Sequence, residues 1–415
     1  MMKTKEIVIL GAGPGGCATA LTLAKLGIPC TLVDKAVFPR DKVCGDAISG
    51  KALTILRRID PGIAQRLEEK TDHHTRIWGI RFVAPNGIAT DVPFRKNYKP
   101  ATDPVQGLVS RRMDFDNFLV EEVKKQPLIE FVEGCNVEET KKTDLGFGLS
   151  ANGGTWKRET PLLIVANGAN SQFSRHHAGL SKDPGHYAAA VRAYYKNVKG
   201  LHPDGFIELH FLKSITPGYF WIFPLPDGHA NVGLGMRSDF VSKKRYNLKK
   251  EMTTLLSEHP DLKGRFAEAE QLTPIRGYPL PLGSKKLPLS GNHYMLVGDA
   301  GHLIDPLSGE GIGNAIYSGF IAAEQAAKCL TAKDFSAEFL KPYDERIARV
   351  LGAEMKISYQ LQKLMSRMWL VNFSARLVAR NPNLIYTISD MYADLSMRQK
   401  ALNPIFWLKM MLGKK

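Results

Sequence analysis

Short apolar runs that end in glycine-rich turns mark the first part of the chain. Residues 6–10 (EIVIL) form an apolar run typical of a buried parallel strand and lead directly into GAGPGG at 11–16. A helical pattern follows and ends near Gly27, and a second apolar run, PCTLVDK, closes at Asp34. The order of strand, glycine turn, helix and strand predicts an open parallel α/β unit.

The pattern becomes alternating further along the chain. Residues 75–94 alternate and carry Asn-Gly at 86–87, which predicts a hairpin, and residues 187–236 read as successive antiparallel strands. Residues 110–124 have a helical pattern, while 128–134 and the glycine-containing stretch 135–159 predict a strand and a small β-meander. Two further apolar runs, LLIVANGANS and HYMLVGDAG, return to the style of strand followed by glycine turn.

These elements predict an α/β fold in which a parallel-sheet domain of the Rossmann type, with a β-meander, contains an inserted antiparallel-sheet domain. The first domain is expected to be discontinuous (1–74, 100–180 and 275–333), the inserted domain to comprise 75–99 and 181–274, and residues 334–415 to form a helical C-terminal region. A loop rich in Pro, Gly and Lys is expected at 274–292.

Composition narrows the classes of partner. The 56 Lys and Arg against 41 Asp and Glu give a net charge of +15, which favours an acidic partner such as an anionic membrane surface or a phosphorylated small molecule, although a solvated basic surface fits equally well. We expect no nucleic-acid partner, because no helix-turn-helix, zinc finger or aromatic ribonucleoprotein motif is present.

The five cysteines form no CxxC pair, so we expect neither a metal site nor a disulfide framework. We find no signal peptide and no uncharged apolar window of ~18 residues. We therefore expect a cytoplasmic protein, with or without peripheral contact at the inner face of the membrane.

The first glycine turn carries a dinucleotide fingerprint. Gly11, Gly13 and Gly16 form GxGxxG between a predicted strand and helix, and Asp34 follows at the end of the next strand. Gly11 permits the tight turn, Gly13 lets the backbone approach a pyrophosphate, and Asp34 would accept from ribose hydroxyls. A glycine turn without a ligand is the alternative.

A second glycine-rich turn indicates which dinucleotide. In VGDAGHLIDPLSGEGIGNA (297–315), Asp299 follows a buried strand and the turn 308–313 opens a helix. Two glycine turns converging on one long, bent ligand fit FAD, with ribitol hydroxyls at Asp299 and the flavin ring at the second helix N-terminus, where the helix dipole stabilises negative charge.

The stretches GAGPGG with Asp34, RRMDFDNFL (111–119), VANGANS (165–171) and 297–315 resemble the flavoprotein hydroxylase branch of the glutathione reductase superfamily. YFWIFPLPDGHANVGLG (219–235) and FPRDKVCGD (38–46) are similar to the substrate motif and the Cys-Gly motif of the geranylgeranyl reductase family within that branch, although Pro39 lies further from the cysteine than in the family pattern. The resemblance implies an FAD-dependent oxidoreductase that acts on an isoprenoid.

The resemblance and the turns together give the following expected cofactor contacts: Gly11, Gly13, Pro14, Gly15, Gly16, Asp34, Lys35, Arg40, Cys44, Gly45, Arg112, Val137, Asn167, Gly168, Gly298, Asp299, Pro306, Gly309, Gly311, Ile312 and Gly313. Asn167 stands where the branch usually has aspartate, at a position linked to the reducing nicotinamide. The electron donor therefore stays open between NAD(P)H and a reduced protein carrier.

The expected substrate contacts are Tyr219, Trp221, Phe223, Pro224, Gly233 and Gly235. Alternation along the strand puts the three aromatic side chains on one face, and we expect the two glycines of the neighbouring strand to leave a trough for a long apolar ligand. A hydrophobic core stripe is the competing interpretation.

Cys44 and Tyr219 are the candidate catalytic acids, since each carries a proton that a pocket could position. For Cys44, proton relay or positioning competes with inert packing and with covalent or disulfide chemistry, and Arg40 and Lys42 would lower its pKa if they point toward it. His302 is placed near the flavin by its motif but is as readily a structural histidine.

The leading functional prediction is an FAD-dependent reductase of carbon–carbon double bonds in a polyprenyl or related long apolar substrate, phosphorylated or not. The alternatives are an FAD monooxygenase or halogenase acting on an aromatic or polyene substrate, and a flavin-containing binding or electron-carrier protein. The C-terminal NPIFWLKMMLGKK (403–415) is interpreted as an interfacial helix or as a packed helix with a basic tail.

Overall fold

The computed structural model describes residues 7–381, 384–387 and 389. Strands and helices alternate through the first half of the chain, and helices dominate its end. The strands in the described part are β1 (Ile7–Leu10), β2 (Cys30–Val33), β3 (Ala47–Ser49), β4 (His74–Arg76), β5 (Gly79–Val83), β6 (Ala89–Pro93), β7 (Gly107–Ser110), β8 (Ile129–Val132), β9 (Val137–Lys142), β10 (Phe147–Ala151), β11 (Trp156–Thr160), β12 (Leu163–Val165), β13 (Tyr187–Lys196), β14 (Ile207–His210), β15 (Gly218–Pro224), β16 (Ala230–Arg237), β17 (Glu270–Gln271), β18 (Arg276–Pro281), β19 (Ser290–Gly291) and β20 (Tyr294–Leu296).

The α-helices in the same residues are α1 (Pro14–Lys25), α2 (Gly50–Ile59), α3 (Pro61–Glu69), α4 (Arg112–Lys124), α5 (Gln172–His176), α6 (Ser238–Lys244), α7 (Leu248–Glu258), α8 (Pro260–Phe266), α9 (Ile312–Ala332), α10 (Ala337–Ile347), α11 (Ala353–Met365) and α12 (Met368–Arg380). None of the helices described here is both long and apolar enough to cross a bilayer.

A six-stranded sheet carries the first glycine turn. Its order is β19-β20-β12-β1-β2-β8, with β20 through β8 parallel and β19 antiparallel at the edge. Every residue of β1 is apolar because both faces of the sheet are covered. Ile7 and Ile9 pack against the helices on one face, and Val8 and Leu10 pack against the meander on the other. The meander is the separate three-stranded sheet β11-β10-β9, as the sequence predicted.

The second large sheet of the protein has eight strands. Its order is β17-β13-β16-β15-β14-β5-β6, with β18 also paired to β13, and its strand pairs are antiparallel except β14 with β5. The hairpin β5–β6 is in this sheet although most of its other strands begin about a hundred residues later. The predicted α/β fold is confirmed, while the sequence limits of each domain stay a prediction.

Alternation along β15 assigns its two faces. Phe220 and Ile222 pack with residues of α7 and α8, whereas Tyr219, Trp221 and Phe223 belong to a cluster on the opposite face. The sheet therefore turns its aromatic face away from its own helices.

Three features differ from the sequence prediction. The region 274–292 is not one loop, because Arg276–Pro281 is the edge strand β18, where two prolines are tolerated. Helices α6 to α8 were not predicted within the inserted region, and neither was the small antiparallel sheet β3-β7-β4. Strands β3, β4 and β7 span three or four residues each and lack the glycine-rich turn that marked the equally short strands β1 and β12.

Candidate active site

One cavity of about 790 Å³ lies between the carboxyl ends of the parallel strands and the aromatic face of the eight-stranded sheet. Pro14, Asp299 and Ile312 line one end, and Trp221 and Phe223 line the other. The remaining predicted residues that line this cavity are Cys44, Gly45, Arg112, Tyr219, Gly309 and Gly311. The expected cofactor turns and the expected substrate wall therefore share a single space.

The first glycine turn is shaped by close backbone packing. Gly11 has φ +97°, and a Cβ on it would lie 2.5 Å from the carbonyl oxygen of Ala166, while a Cβ on Gly16 would lie 1.8 Å from the oxygen of Gly11. Only glycine fits at either position. At Gly13 the nearest atom to an added Cβ is Arg40 Nη2 at 4.0 Å, so the N-terminus of α1 stays open to a phosphate.

Asp34 directly follows β2, and its carboxylate holds this turn. One oxygen accepts from the Ala12 amide at 2.7 Å and the other from the Ala36 amide at 2.8 Å. Lys35 beside it is exposed, and Val137 at the start of β9 packs on the cluster behind β1 and β2. The ribose contact expected of Asp34 stays a prediction.

The second glycine turn follows β20. Asp299 lies 3.3 Å from Lys42 Nζ, and a Cβ on Gly311 would come 3.3 Å from the Asp299 carboxylate. Gly311 caps α9 and Ile312 begins it. Gly298 and Gly313, the other glycines expected here, pack tightly against Ala315 and against Glu310 and Ser49, respectively.

Asn167 and Gly168 follow β12 next to the first turn. The Cα of Asn167 would lie 2.8 Å from a Cβ on Gly11, and Gly168 has φ +82° with the Tyr278 hydroxyl 3.4 Å from an added Cβ. Gly15, also in the first turn, has a side-chain methyl of Val297 2.8 Å from an added Cβ. The three carboxyl ends of β1, β12 and β20 therefore meet at one edge of the sheet.

The guanidinium of Arg112 is buried beside Cys44. It donates to both oxygens of Asp116, at 2.7 and 2.6 Å, and it faces the Cys44 thiol. Arg40 pairs with the same Asp116 at 2.7 Å, and Lys42 pairs with Asp299. Nearby carboxylates therefore hold both Arg40 and Lys42, the two cations that the sequence interpretation considered for this thiol, and Arg112 is a further cation beside it.

The aromatic wall is continuous. Ring centroids are 6.1 Å apart between Tyr219 and Trp221 and 6.0 Å apart between Trp221 and Phe223. Pro224 ends the strand in a buried position. The wall faces the cavity, so it is not only a core stripe.

Gly233 does not leave an open trough. A Cβ on Gly233 would lie 2.3 Å from Cζ2 of Trp221, its partner on β15, so the indole fills the space that the missing side chain provides. A Cβ on Gly235 would have only ordinary contacts, with Ala190 Cβ at 3.5 Å and Trp221 Cζ3 at 3.8 Å. The cavity lies on the far side of the indole instead.

Tyr219 links the two halves of the cavity. Its hydroxyl donates to the carbonyl of Ser308 in the second glycine turn, and a Cβ on Gly309 would lie 3.2 Å from that hydroxyl. Pro306, expected at the cofactor, is buried at the foot of the same turn. Desolvation raises the pKa of Tyr219 above its usual value. The phenol hydroxyl is therefore already hydrogen-bonded to Ser308, and it is a weaker acid than an ordinary tyrosine.

His302 is a structural histidine. It adopts φ +55°, and its Nε2 lies 3.0 Å from the Tyr187 hydroxyl. Burial lowers the pKa of His302 to about 4, so the ring is neutral near pH 7 and accepts from the tyrosine.

Asp46, which lines the cavity, was missed by the sequence interpretation, together with the two polar residues that donate to it. Asp46 is fully buried and accepts from the Tyr194 hydroxyl at 2.6 Å and from Asn231 Nδ2 at 2.7 Å. Asp46 directly follows the Cys-Gly pair, and Tyr194 and Asn231 are polar residues among the apolar residues of β13 and β16, which also carry Arg192 and Arg237. Those polar interruptions were the available signal.

Comparison with known proteins identifies the family of this chain. A model of the FAD binding domain matches residues 4–198, and a model of the geranylgeranyl reductase catalytic domain matches residues 187–270. The digeranylgeranylglycerophospholipid reductase of Methanococcus vannielii is 32% identical over 370 residues, which cover 86% of this chain and 87% of that protein. The chain belongs to the geranylgeranyl reductase family of FAD-dependent oxidoreductases.

Other relatives in the comparison differ in their named substrates. The menaquinone reductase of Mycobacterium tuberculosis is 29% identical over 328 residues, covering 77% of this chain and 76% of that protein. A geranylgeranyl bacteriochlorophyll reductase-like protein of Thermoplasma acidophilum has a TM-score of 0.76 at 24% identity, with 91% of each chain covered. A flavin-dependent brominase has a TM-score of 0.74 at 21% identity, covering 95% of this chain and 94% of that one, which shows a shared fold alone.

The residues present fit FAD, which is the cofactor of this family member. The N-terminus of α1 has no acidic residue in its first turn and no side-chain cap, as a pyrophosphate site requires. The N-terminus of α9 opens on the same cavity through Gly311 and Ile312. Arg112 and Lys42 add positive charge between the two turns.

Proposed function

We propose that this protein reduces carbon–carbon double bonds in a long prenyl lipid with electrons from FAD. The observation that carries the proposal is the single cavity in which both glycine turns meet the wall of Tyr219, Trp221 and Phe223. The named substrates of the relatives, a digeranylgeranyl lipid and menaquinone, share a polyprenyl chain and support the same substrate class.

The shape of the apolar end supports an extended substrate. Ile80, Phe94, Ile207 and Leu209 pack in the same cluster as Trp221 and Phe223 and also line the cavity, so this part of the cavity is bounded by aliphatic and aromatic groups. An apolar chain gains about 0.8 kcal/mol for each methylene that leaves water, which makes burial of many isoprene carbons the main source of affinity.

The chain's own groups have separate tasks in this reaction. Reduced FAD, when bound, supplies a hydride. The faces of Trp221 and Phe223 can stabilise positive charge that develops at an alkene carbon. The thiol of Cys44, held against Arg112, lies at the boundary between the cofactor turns and the wall, where it can position the reacting carbons or relay a proton.

Contact with an anionic membrane surface is part of the proposal. Trp369 is 66% exposed and Phe373 is 46% exposed, and both lie on the face of α12 that also carries the exposed Arg376 and Arg380. Aromatic and basic side chains on one helix face are the features of an interfacial helix. Helix α12 packs against β6, next to Phe94 at the apolar end of the cavity. The segment 403–415, to which the sequence interpretation assigned this contact, lies outside the described residues.

Flotation with vesicles rich in anionic lipid tests the membrane contact. We expect the wild type to float and the double variant Trp369→Ser, Phe373→Ser to stay in solution. Val37, which is 64% exposed in the loop after β2, provides a matched control, since Val37→Ser removes exposed apolar area elsewhere. Equal flotation of wild type and double variant would remove α12 from the proposal.

Anaerobic reoxidation of the flavin tests the reductase proposal. The protein is photoreduced without oxygen, and geranylgeranyl diphosphate or a polyprenyl lipid extract is added. Reoxidation with a product heavier by two hydrogens supports the proposal. A flavin that stays reduced until air enters, followed by a product with added oxygen or halogen, supports the monooxygenase or halogenase alternative instead.

A further inference from the structure

A buried carboxyl group lies directly behind the Cys-Gly pair. Asp46 has no exposed surface, lines the cavity, and has φ +69°, a conformation uncommon for a residue other than glycine. The Tyr194 hydroxyl donates to its Oδ2 at 2.6 Å, and Asn231 Nδ2 donates to the same oxygen at 2.7 Å. Its other oxygen, Oδ1, is buried and accepts no hydrogen bond from any residue in the described part of the chain.

The amide of Asn231 joins this carboxyl group to the rest of the site. Asn231 Nδ2 also donates to the Cys44 carbonyl at 2.7 Å, and its Oδ1 accepts from the Trp221 indole at 2.9 Å. Gly45, between the two loop residues, packs on the wall, because a Cβ there would lie 3.2 Å from Phe223 Cε2. Asp46, Cys44 and the aromatic wall are therefore held as one unit.

Burial and the neighbouring groups shift the pKa of Asp46 in opposite directions. Burial raises the pKa of the Asp46 carboxyl to about 7, while the hydrogen bond from Tyr194, the charge of Arg192, the hydrogen bond from Asn231 and the charge of Arg112 lower it. Arg192 is itself paired with Asp41 at 2.7 Å. Lys42 and Cys44 are the other titratable groups of this loop that line the cavity, and Cys44 lies next to Arg112.

The hydrogen bonds decide which oxygen carries the proton. Since Oδ2 accepts two hydrogen bonds, the neutral carboxyl group carries its proton on Oδ1, the oxygen without a protein partner. Tyr219, by contrast, already donates its proton to the Ser308 carbonyl. Asp46 is thus an acid at this cavity whose proton no described residue accepts.

We propose that Asp46 holds the proton that the reduction consumes and delivers it from Oδ1 to the substrate. The inference rests on the proposed function. One alkene π bond breaks, the hydride with its electron pair forms one new C–H bond, and the Asp46 proton forms the other. The flavin is oxidised, the alkene is reduced, and the Asp46 carboxylate takes a new proton from solvent. Cys44 and Asn231 are positioning residues in this scheme.

Infrared titration of the FAD-loaded protein tests whether Asp46 holds a proton. We expect a protonated-carboxyl C=O band that disappears as the pH rises through about 7 and is missing in Asp46→Asn. The variant keeps the shape of the side chain and both partners at Oδ2, and its bound flavin absorbance checks the fold. A wild type without such a band at pH 6 would overturn the inference, whatever the enzyme reduces.

The rate of anaerobic flavin reoxidation by a prenyl substrate tests delivery. We expect Asp46→Asn to lower this rate by roughly 10²- to 10⁴-fold at pH 7, the range of general acid catalysis. The wild-type rate should fall above pH 7, and Tyr194→Phe should move that fall to higher pH, because it removes a hydrogen bond that lowers the Asp46 pKa.

The two proposals fail in distinguishable ways. An unchanged rate and pH profile in Asp46→Asn, with a wild type that reduces prenyl substrate, would overturn the role of Asp46 alone. A wild type that reacts with no prenyl lipid would overturn the proposed function and with it the delivery step, while a titrating carboxyl band would still support proton holding.

Discussion

The indole of Trp221 lies over Gly233 on the neighbouring strand, where a Cβ would come 2.3 Å from its Cζ2. The glycine seats the indole, and the indole in turn presents its other face to the cavity and donates to Asn231 at 2.9 Å. A missing side chain on one strand thereby fixes both the aromatic wall and the amide that holds the Cys44–Asp46 loop.

Gly233→Ala should displace Trp221. The added methyl would also lie 2.4 Å from the Val191 carbonyl oxygen, so the strand cannot yield easily. We expect a loss of stability of about 1–3 kcal/mol from overpacking and a fall in substrate turnover of about tenfold or more from the misplaced wall. Gly235→Ala, whose methyl meets only ordinary contacts, is the matched control. Equal activity of both variants with wild type would contradict the role of Gly233.

Tyr219→Phe separates positioning from acid catalysis. Because the hydroxyl is bound to the Ser308 carbonyl and burial raises its pKa, we expect a loss of only a few-fold in turnover, together with weaker FAD retention as the second glycine turn loosens. Turnover and the rate of FAD release on dilution measure the two effects. A loss of 10²-fold or more at unchanged FAD content would instead make the phenol the proton donor.

Cys44 can be tested with a pair of substitutions. If the thiol positions the substrate against Arg112, Cys44→Ser should keep most of the activity, and Cys44→Ala should lose about tenfold through a less defined geometry. Single-turnover rates and the ratio of partly to fully reduced product report this. Complete loss in both variants, with an intact Asp46 infrared band, would favour covalent chemistry at the thiol.

The Asp46 carboxyl should make folding stability depend on pH. Its pKa is about 7 in the folded protein against an ordinary 3.8, so the folded state binds the extra proton between these values and stability falls as the pH rises from about 4 to 7. Asp46→Asn has no carboxyl group to ionise, so it removes this loss of stability at high pH. We expect the variant to gain thermal stability relative to wild type at pH 8 but not at pH 4, as measured by the unfolding midpoint. A constant difference across that range would contradict the raised pKa.

The sequence was sufficient for the α/β architecture because its signals are local. The apolar run of β1, the glycines at 11–16 and the alternation of β15 each identify their element within a few residues. The meander and the second glycine turn were recognised in the same way. Helix α7 was missed although Leu248, Met252 and Leu255 recur at helical spacing, because the strand pattern before it was extended through the whole inserted region.

The candidate site was only partly predictable because its decisive contacts join distant parts of the chain. Asp46 and Tyr194 are separated by 148 residues, and Cys44 and Asn231 by 187, so neither pair has a spacing that a sequence pattern can reveal. The direction of Lys42 toward Asp299 depends equally on the fold. The sequence could indicate which residues to expect around the cofactor, but not the hydrogen bonds that Asp46 accepts.

The anaerobic reaction of the photoreduced protein with a polyprenyl lipid tests the proposed chemistry most directly. We predict flavin reoxidation without oxygen, with one pair of hydrogens gained by the lipid for each flavin oxidised, and a reaction slowed by about tenfold or more in Gly233→Ala but not in Gly235→Ala. A flavin that remains reduced with every prenyl lipid until oxygen is admitted would contradict it.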